Sequence, residues 1–291
     1  MKFKLMFATS LLAVSALAVN SAQARELIQN KGSDTLVNVA QAWAEAYPEV
    51  NPDVAVAVSG GGSGTGIAAM INGTVDIANA SRKMKDKEIK MAEEHGQHPV
   101  EHVVGYDALA VFINMNNPID AMSLQQLADI FGRDPKVRNW ADMDIKVPGC
   151  DSGEIVVVSR QNNSGTYAYF KETILGDHGK YRQGTLDMQG SKDVVDLVEK
   201  TPCAIGYSGL AYATEHVKKL CVAAETGGPC VEATVATASD HSYPIARPLF
   251  MYTNGEPQGA IKGYIDWVES DAGQCILLKK GYATVRDVKC D

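Results

Sequence analysis

Two short loops rich in glycine and hydroxyl residues constrain this chain most strongly. The first is Gly-Gly-Gly-Ser-Gly-Thr-Gly at residues 60–66, and a related run, Asn-Ser-Gly-Thr, occupies residues 163–166. A β-like stretch precedes each loop (residues 54–58 and 155–158), and a helix-like stretch follows it. Glycine lets the backbone approach a ligand closely, and the free N–H groups at the start of a helix attract anions. The pattern therefore predicts two helix N-termini that face one small oxyanion.

Arg160 lies just before the second loop and supplies the positive charge. The guanidinium fork donates two parallel hydrogen bonds to a tetrahedral oxyanion, and its charge makes these bonds stronger than neutral ones. Ser164 is placed both to cap the following helix and to donate to a ligand. The alternative is an arginine paired with a surface carboxylate beside an ordinary helix cap.

The first loop does not match the glycine-rich motifs that bind nucleotides. No G-x-G-x-x-G spacing fits residues 60–66, and Ile67 follows Gly66 where a P-loop requires lysine. A purely structural turn is the alternative, since glycine is the usual turn residue. The hydroxyls of Ser63 and Thr65 favour binding, because they donate to an anion together with the surrounding amides.

Two further segments carry hydroxyl groups at the ends of predicted elements. Ser33 and Thr35 open the first predicted helix, which gives a third N-terminus aimed at the same point. Ser81 and Arg82 end a predicted strand with another hydroxyl and another cation. The alternative for Arg82 is a solvated surface charge, because lysines follow it at residues 83, 85 and 87.

Two catalytic or metal-binding alternatives have weaker support. His95, His98 and His102 suggest a metal site, but Gly96 and Pro99 interrupt any helix that would align them, so a polar loop is expected. A serine hydrolase lacks both a complete G-x-S-x-G motif and a nearby histidine in the sequence. We therefore expect neither a metal nor any other cofactor.

The first 24 residues have the pattern of a secretory signal peptide. Lys2 and Lys4 precede an apolar stretch, and Ala-Gln-Ala at residues 22–24 forms a cleavage site. No later stretch approaches the ~18 consecutive apolar residues of a membrane span, so direct membrane insertion is not expected. Cleavage would move the formal charge from −8 to −10, since it removes two lysines. An acidic exterior argues against nucleic acid as a partner.

Six cysteines behind an export signal predict disulfide bonds. Cys221 with Cys230 is the favoured local pair, because the intervening Thr-Gly-Gly-Pro turns the chain. Cys275 with Cys290 would fix the C-terminus, which leaves Cys150 with Cys203. A metal site is the alternative, but no Cys-x-x-Cys or Cys-x-x-His spacing is present.

Short runs rich in valine, isoleucine and alanine alternate with helical patterns, which predicts an α/β fold. No linker of low complexity separates domains, so the boundary must be a pair of crossing strands, for which residues 103–114 and 244–251 are the candidates. The remaining predicted elements are helices at residues 35–47, 86–94, 123–131, 193–199, 258–270 and 274–279, and a strand at residues 204–207.

Together, these segments resemble the substrate-binding protein of the bacterial high-affinity phosphate ABC transporter over essentially the whole mature chain. The most specific motif is Arg160 followed by Ser164-Gly165-Thr166. The resemblance implies a type 2 periplasmic binding protein, in which two α/β lobes joined by two strands close on dehydrated phosphate. It implies ligand contacts from Ser33, Thr35, Leu36, Ser63, Arg160, Ser164, Gly165 and Thr166, to which Ser81 and Arg82 are added as candidates.

One position departs from the pattern of the family. Known members place an aspartate where this chain has Ser81, and that aspartate accepts the proton that phosphate carries and sulfate lacks. A hydroxyl accepts a proton without repelling a fully ionised oxyanion. The sequence leaves open whether Asp34 faces the ligand instead.

The resemblance implies a function and a division of the chain. Residues 25–106 with 247–291 are expected to form lobe 1, and residues 107–246 lobe 2. The expected protein is periplasmic or secreted, captures inorganic phosphate and delivers it to an inner-membrane ABC permease. The alternatives are a binding protein for sulfate or another tetrahedral oxyanion, and a secreted phosphoesterase with Ser63 or Ser164 as nucleophile.

Overall fold

The computed structural model describes residues 25–290 of this chain. The expected signal peptide, residues 1–24, lies outside the described residues. Within them, strands and helices alternate as predicted, and the architecture is α/β. Along residues 25–290, no helix is both long and apolar enough to cross a membrane.

The strands and helices are numbered in chain order. The strands are β1 Glu26–Gly32, β2 Val54–Ser59, β3 Ile77–Ala80, β4 Pro99–Asn114, β5 Ala121–Ser123, β6 Val156–Arg160, β7 Leu186–Met188, β8 Ala204–Gly209, β9 Val217–Lys219, β10 Cys221–Ala223, β11 Cys230–Val231 and β12 Ala246–Asn254. The helices are α1 Val37–Ala46, α2 Ser63–Ile71, α3 Asp86–Glu94, α4 Leu124–Phe131, α5 Gly165–Phe170, α6 Ser191–Lys200, α7 Val235–Ser239, α8 Gly259–Glu269 and α9 Asp271–Lys279. A π-helical segment, Lys171–Leu175, continues α5.

One large sheet organises the structure. Its strand order is β2-β1-β3-β12-β4-β8-β6-β7, with β9 paired to β4, and β11-β10-β5 form a separate small sheet. The strands β1, β2 and β3 run parallel to one another, and so do β6, β7 and β8. We call the first group the β1 side of the sheet and the second group the β6 side.

The strands β4 and β12 lie between the two sides and pair antiparallel. Their register runs from Ala246 opposite Ala108 to Asn254 opposite Pro99. Beyond this stretch, β4 pairs with β8 from Leu109 onward. These are the two strands that the sequence predicts to cross between domains; β12 pairs with β3 of the β1 side, and β4 pairs with β8 of the β6 side.

Buried apolar side chains form separate clusters on the two sides of the sheet. The β6 side contains Phe112, Trp140 and Tyr207 in one large cluster. On the β1 side, one cluster contains Trp43 and Tyr264, and another contains Met70 and Phe250. Burying an aliphatic or aromatic side chain of this size stabilises a fold by about 1.5–3 kcal/mol relative to leaving it exposed. Each side therefore has its own core.

Most predicted elements are present, with shifted ends. The helix predicted at residues 86–94 has these bounds in the structure, and Ser123 and Gln126 form the predicted reciprocal cap of α4. The first helix begins at Val37 and not at Thr35. Thr35 and Leu36 form a turn instead, in which the Leu36 amide donates to the carbonyl of Ser33 (3.1 Å).

The three predicted disulfide bonds are confirmed. Cys150–Cys203, Cys221–Cys230 and Cys275–Cys290 are each bonded, with Cα–Cα distances of 5.0, 5.4 and 5.6 Å. The first joins the segment before β6 to the start of β8, so it supports the β6 side directly. The third connects α9 to the C-terminal segment.

Candidate anion-binding site

The predicted hydroxyl segments meet at the carboxyl ends of the parallel strands. Ser33 and Thr35 follow β1, and Ser81 follows β3, which is the neighbour of β1 in the sheet. The amide of Ser33 donates to the carbonyl of Asn79 (2.9 Å), which fixes the two chain ends side by side. Ligand sites of open α/β sheets lie at this edge, because adjacent parallel strands end there together.

Five buried hydroxyl groups form what we call the hydroxyl cluster: Ser33, Thr35, Ser63, Ser81 and Thr166. None is more than 1% exposed. Ser33 Oγ donates to Ser81 Oγ (2.9 Å), and Ser63 Oγ lies 3.3 Å from Ser81 Oγ. Thr35 Oγ1 and Thr166 Oγ1 lie 3.0 Å apart, which joins the β1 side to the β6 side. The structure thus brings together hydroxyls that the sequence places in four separate segments.

The two glycine-containing loops touch each other across the cleft between the two sides. The Gly64 amide donates to the carbonyl of Asn163 (2.8 Å), and Asn163 Nδ2 donates to the carbonyl of Gly61 (2.9 Å). Gly62 has a φ of 89°, and a β-carbon there would lie 2.7 Å from Asn163 O. Only glycine permits this approach, both for the backbone angle and for the missing side chain.

Ser164 and Gly165 occupy the start of α5. Ser164 Oγ accepts hydrogen bonds from the amides of Thr166 (3.2 Å) and Tyr167 (3.3 Å), so it is the predicted helix cap. A β-carbon on Gly165 would lie 2.3 Å from Ser63 Oγ and 2.6 Å from Ser81 Oγ. The start of α5 therefore faces the hydroxyl cluster directly.

Arg160 ends β6 and is buried, with 1% exposure. Its Nη2 donates to Asp34 Oδ2 (3.1 Å) on the β1 side and to the carbonyl of Gln189 (2.6 Å), while Nη1 donates to Ser191 Oγ (3.0 Å). Burial lowers the pKa of the Arg160 guanidinium, and the Asp34 carboxylate opposes that change. Asp34 Oδ1 also accepts from the amide of Gly61 (2.7 Å). Asp34 thus joins Arg160 to the first glycine loop.

Two further candidates, Leu36 and Arg82, make no side-chain hydrogen bond to the hydroxyl cluster among residues 25–290. The Leu36 side chain is buried in the core, and its amide is used in the turn described above. Arg82 donates through Nη1 and Nη2 to the two carboxylate oxygens of Glu88 (2.8 Å each). Arg82 also lines a crevice of about 330 Å³ that reaches Ser81 and Arg247. Its position favours a role at the entrance of the site over direct contact.

A second buried arginine, Arg247 on β12, contacts the hydroxyl cluster. Its Nη2 donates to Thr166 Oγ1 (3.0 Å) and Thr35 Oγ1 (3.2 Å), and its Nη1 donates to the carbonyl of Ser81 (3.2 Å). Arg247 is paired with Asp107 on β4, whose Oδ2 accepts from Nη2 (2.8 Å) and Nε (3.1 Å). Both side chains are fully buried.

Arg247 and Asp107 are not among the residues predicted for the site, although the sequence carries a signal for both. Each is the one charged residue within a predicted apolar strand, Asp107 in residues 103–114 and Arg247 in residues 244–251. A single charged residue in an apolar strand must have a partner of opposite charge when it is buried. One acidic and one basic residue in the two crossing strands therefore indicate that the two residues contact each other. The structure places them opposite each other in the register of β4 and β12.

The arrangement is rich in hydrogen-bond donors for an anion. The two guanidinium groups bring five N–H donors each. Nη1 of each guanidinium has two hydrogens and one protein acceptor among the described residues. Thr35 and Thr166 both accept from Arg247 and share one hydrogen bond, so one of their two hydroxyl hydrogens remains for another acceptor. The site therefore has both charge and directed donors for a small oxyanion.

The histidine positions do not form a metal site among the described residues. His95 follows α3 and bonds the carbonyl of Met91 (2.7 Å), whereas His102 lies in β4 and bonds Thr253 Oγ1 (2.9 Å). Within residues 25–290, no group of three or more His, Cys, Asp or Glu side chains is placed to hold a metal ion.

Comparisons with known proteins agree with this fold. A family model described as a PBP superfamily domain matches residues 18–272. The phosphate-binding protein PstS of Pseudomonas aeruginosa is 34% identical over 266 residues, which cover 88% of this chain and 82% of the relative. Protein SphX of Synechococcus elongatus is 32% identical over 260 residues, which cover 86% of this chain and 75% of the relative.

The fold also matches a solved structure closely. A putative phosphate ABC transporter substrate-binding protein from Clostridium perfringens, solved with bound phosphate, superposes with a TM-score of 0.79 at 29% identity. The match covers 90% of this chain and 100% of that one. The shared fold is that of the type 2 periplasmic binding proteins. This chain therefore belongs to the PBP superfamily and, within it, to the family of the phosphate-binding proteins of phosphate ABC transporters.

Proposed function

We propose that this protein captures inorganic phosphate in the hydroxyl cluster and delivers it to an inner-membrane ABC permease. The observation that carries this proposal is the meeting of buried hydroxyls from both sides of the sheet beside Arg160. Thr35 and Thr166, which come from opposite sides, lie within hydrogen-bond distance of each other. The names of the relatives and the phosphate bound to the Clostridium perfringens protein support the choice of ligand.

The proposed binding step is a closure of two lobes around the anion. Lobe 1 consists of residues 25–106 with 247–291, and lobe 2 of residues 107–246. The separate apolar clusters on the two sides of the sheet support this division, because each lobe then has its own core. The ligand favours the closed arrangement, since only there do donors from both lobes surround it.

The protein is proposed to act by binding and release, without turnover. The relatives that it matches are binding proteins of transporters. A phosphoesterase would need a base beside its nucleophile, and within residues 25–290 neither Ser63 Oγ nor Ser164 Oγ bonds a histidine or a carboxylate. We propose that the protein acts in the periplasm or outside the cell, next to an inner-membrane permease, because the solved relative is a substrate-binding protein of a phosphate ABC transporter.

Replacing Arg160 with alanine should weaken phosphate binding strongly. The change removes charged hydrogen bonds, so we expect a loss of about 1.5–3 kcal/mol of binding free energy or more, measured by titration calorimetry. Arg182→Ala is the matched control, because Arg182 is also buried, at 7% exposure, but pairs with Glu154 away from the cluster. Unchanged phosphate affinity in Arg160→Ala would remove Arg160 from the site.

Side chains added at Gly165 should block phosphate binding in order of size. The β-carbon of Gly165→Ala would lie too close to Ser63 Oγ and Ser81 Oγ for the loops to keep their contact. We expect affinity to fall in Gly165→Ala and further in Gly165→Ser, while thermal unfolding without phosphate changes little. Wild-type affinity in both variants would show that the start of α5 does not face the ligand.

Sulfate is the second candidate ligand, because the centre of the cluster contains Ser81 and not a carboxylate. Ser81 Oγ accepts from Ser33 Oγ and can also accept the proton of a bound phosphate, which sulfate lacks. One such hydrogen bond is worth about 1 kcal/mol, so we expect a preference for phosphate of about fivefold to tenfold. Competition titrations at an acidic and an alkaline pH measure this preference, and equal affinities at both would favour a general oxyanion site.

A further inference from the structure

The two crossing strands carry a buried ion pair that the function proposed above does not use. Asp107 on β4 and Arg247 on β12 lie opposite each other in the strand register, and neither side chain is exposed. A buried ion pair contributes little net stability, because the loss of hydration offsets the attraction between the charges. A well-packed apolar pair would hold the two strands together equally well. The charges at this position therefore point to a role beyond stability.

The contacts of Arg247 indicate what that role is. Its Nη2 donates to Thr35 on the β1 side and to Thr166 on the β6 side, the two hydroxyls that join the sides. Arg160, by comparison, ends β6 and reaches the β1 side through Asp34. Among residues 25–290, Arg247 is thus the arginine whose guanidinium donates directly to the hydroxyl cluster.

The ion pair leaves one N–H of Arg247, on Nη1, without an acceptor among residues 25–290. Asp107 Oδ2 accepts from both Nε (3.1 Å) and Nη2 (2.8 Å), so the carboxylate holds one edge of the guanidinium. The ring of Tyr169 covers the guanidinium, with its centroid 5.8 Å from Cζ. Nη1 donates to the carbonyl of Ser81 and has a second hydrogen. Asp107 therefore holds the guanidinium so that Nη2 reaches Thr35 and Thr166 while Nη1 reaches Ser81.

We propose that Arg247 is a second charged ligand of the anion and that Asp107 is its positioning residue. This proposal rests on the proposed function of the site as an anion-binding site. It adds a cation from a crossing strand to the donors that come from the two lobes. The bound anion would then contact both lobes, with Arg247 reaching it from the crossing strand β12 at the proposed lobe boundary.

The electrostatics of the site agree with a ligand between two cations. Burial lowers the pKa of the Arg160 guanidinium, and the positive charge of Arg247 lowers it further. A bound anion relieves this repulsion, because it lies close to both guanidinium groups. Burial raises the pKa of the Asp107 carboxyl, and Arg247 opposes that rise. Without Arg247, the carboxyl would take up a proton and not remain as a lone buried charge.

The test separates a ligand role of Arg247 from a structural one. Arg247→Met removes the charge and keeps much of the volume, and Arg247→Met with Asp107→Asn removes both charges. Phosphate affinity by calorimetry and thermal unfolding without phosphate are measured for each. We expect both variants to bind phosphate about tenfold or more weakly than the wild type. The double variant should unfold at a higher temperature than Arg247→Met, because no unpaired buried charge remains. Recovery of affinity together with stability in the double variant would show that Arg247 is only structural.

Two further variants test the positioning role of Asp107 and the specificity of the loss of affinity in Arg247→Met. Asp107→Asn keeps the shape but not the charge that orients Arg247, so we expect a smaller loss of affinity than in Arg247→Met. Unchanged or higher affinity in Asp107→Asn would overturn the positioning role. Arg182→Met should bind phosphate like the wild type, because Arg182 is buried but pairs with Glu154.

The two proposals fail in different ways. If the wild-type protein binds no phosphate, the proposed function of the site is wrong. If the wild type binds and Arg160→Ala loses affinity while Arg247→Met retains it, only the proposal for Arg247 is wrong.

Discussion

The contact between the two glycine-containing loops is the constraint on which the rest of the site depends. The backbone of Asn163 lies where side chains at residues 62 and 64 would be, since β-carbons there would come within 2.7 and 3.1 Å of its carbonyl oxygen. This approach brings the start of α5 against Ser63 and Ser81. The same contact excludes water from the hydroxyls. Hydrogen bonds from these hydroxyls to a charged ligand are stronger where water is excluded. A sequence with larger residues in either loop would keep the sheet but lose the site.

Charge in the site is arranged in pairs that join separate parts of the chain. Arg160 and Asp34 connect the two sides of the sheet, whereas Arg247 and Asp107 connect the two crossing strands. The formal charge of the chain is −8, so the overall field does not attract an anion. The proposed binding would therefore depend on short-range hydrogen bonds and on the two buried guanidinium groups. This arrangement would suit the small dehydrated anion proposed as the ligand.

Local patterns in the sequence predict much of this structure, and long-range pairing accounts for what they miss. The capping pattern of Ser123 and Gln126 and the charged run of residues 86–94 are local, and both predictions are confirmed. The start of the first helix was placed too early, because Thr35 forms a turn and contributes its hydroxyl to the cluster. The helical spacing of apolar residues in the sequence does not indicate that Thr35 contributes its hydroxyl to a site and lies outside the helix.

The residues missed at the site depend on the pairing of distant strands. Asp107 and Arg247 are 140 residues apart, and only the register of β4 and β12 brings them together. The partner of Arg160 is 126 residues away, so its bond to Asp34 also could not be read from spacing. The lone charge in each apolar strand was the available signal. The lobe boundaries and the set of ligand contacts remain predictions.

The most direct test of the account is a crystal structure of the protein with arsenate, a tetrahedral oxyanion whose position anomalous scattering reveals. We expect one buried arsenic peak whose oxygens lie within hydrogen-bond distance of Thr35, Ser63 and Arg160. A peak on a remote surface, or no peak at saturating arsenate, would contradict a common anion site between the two glycine-containing loops.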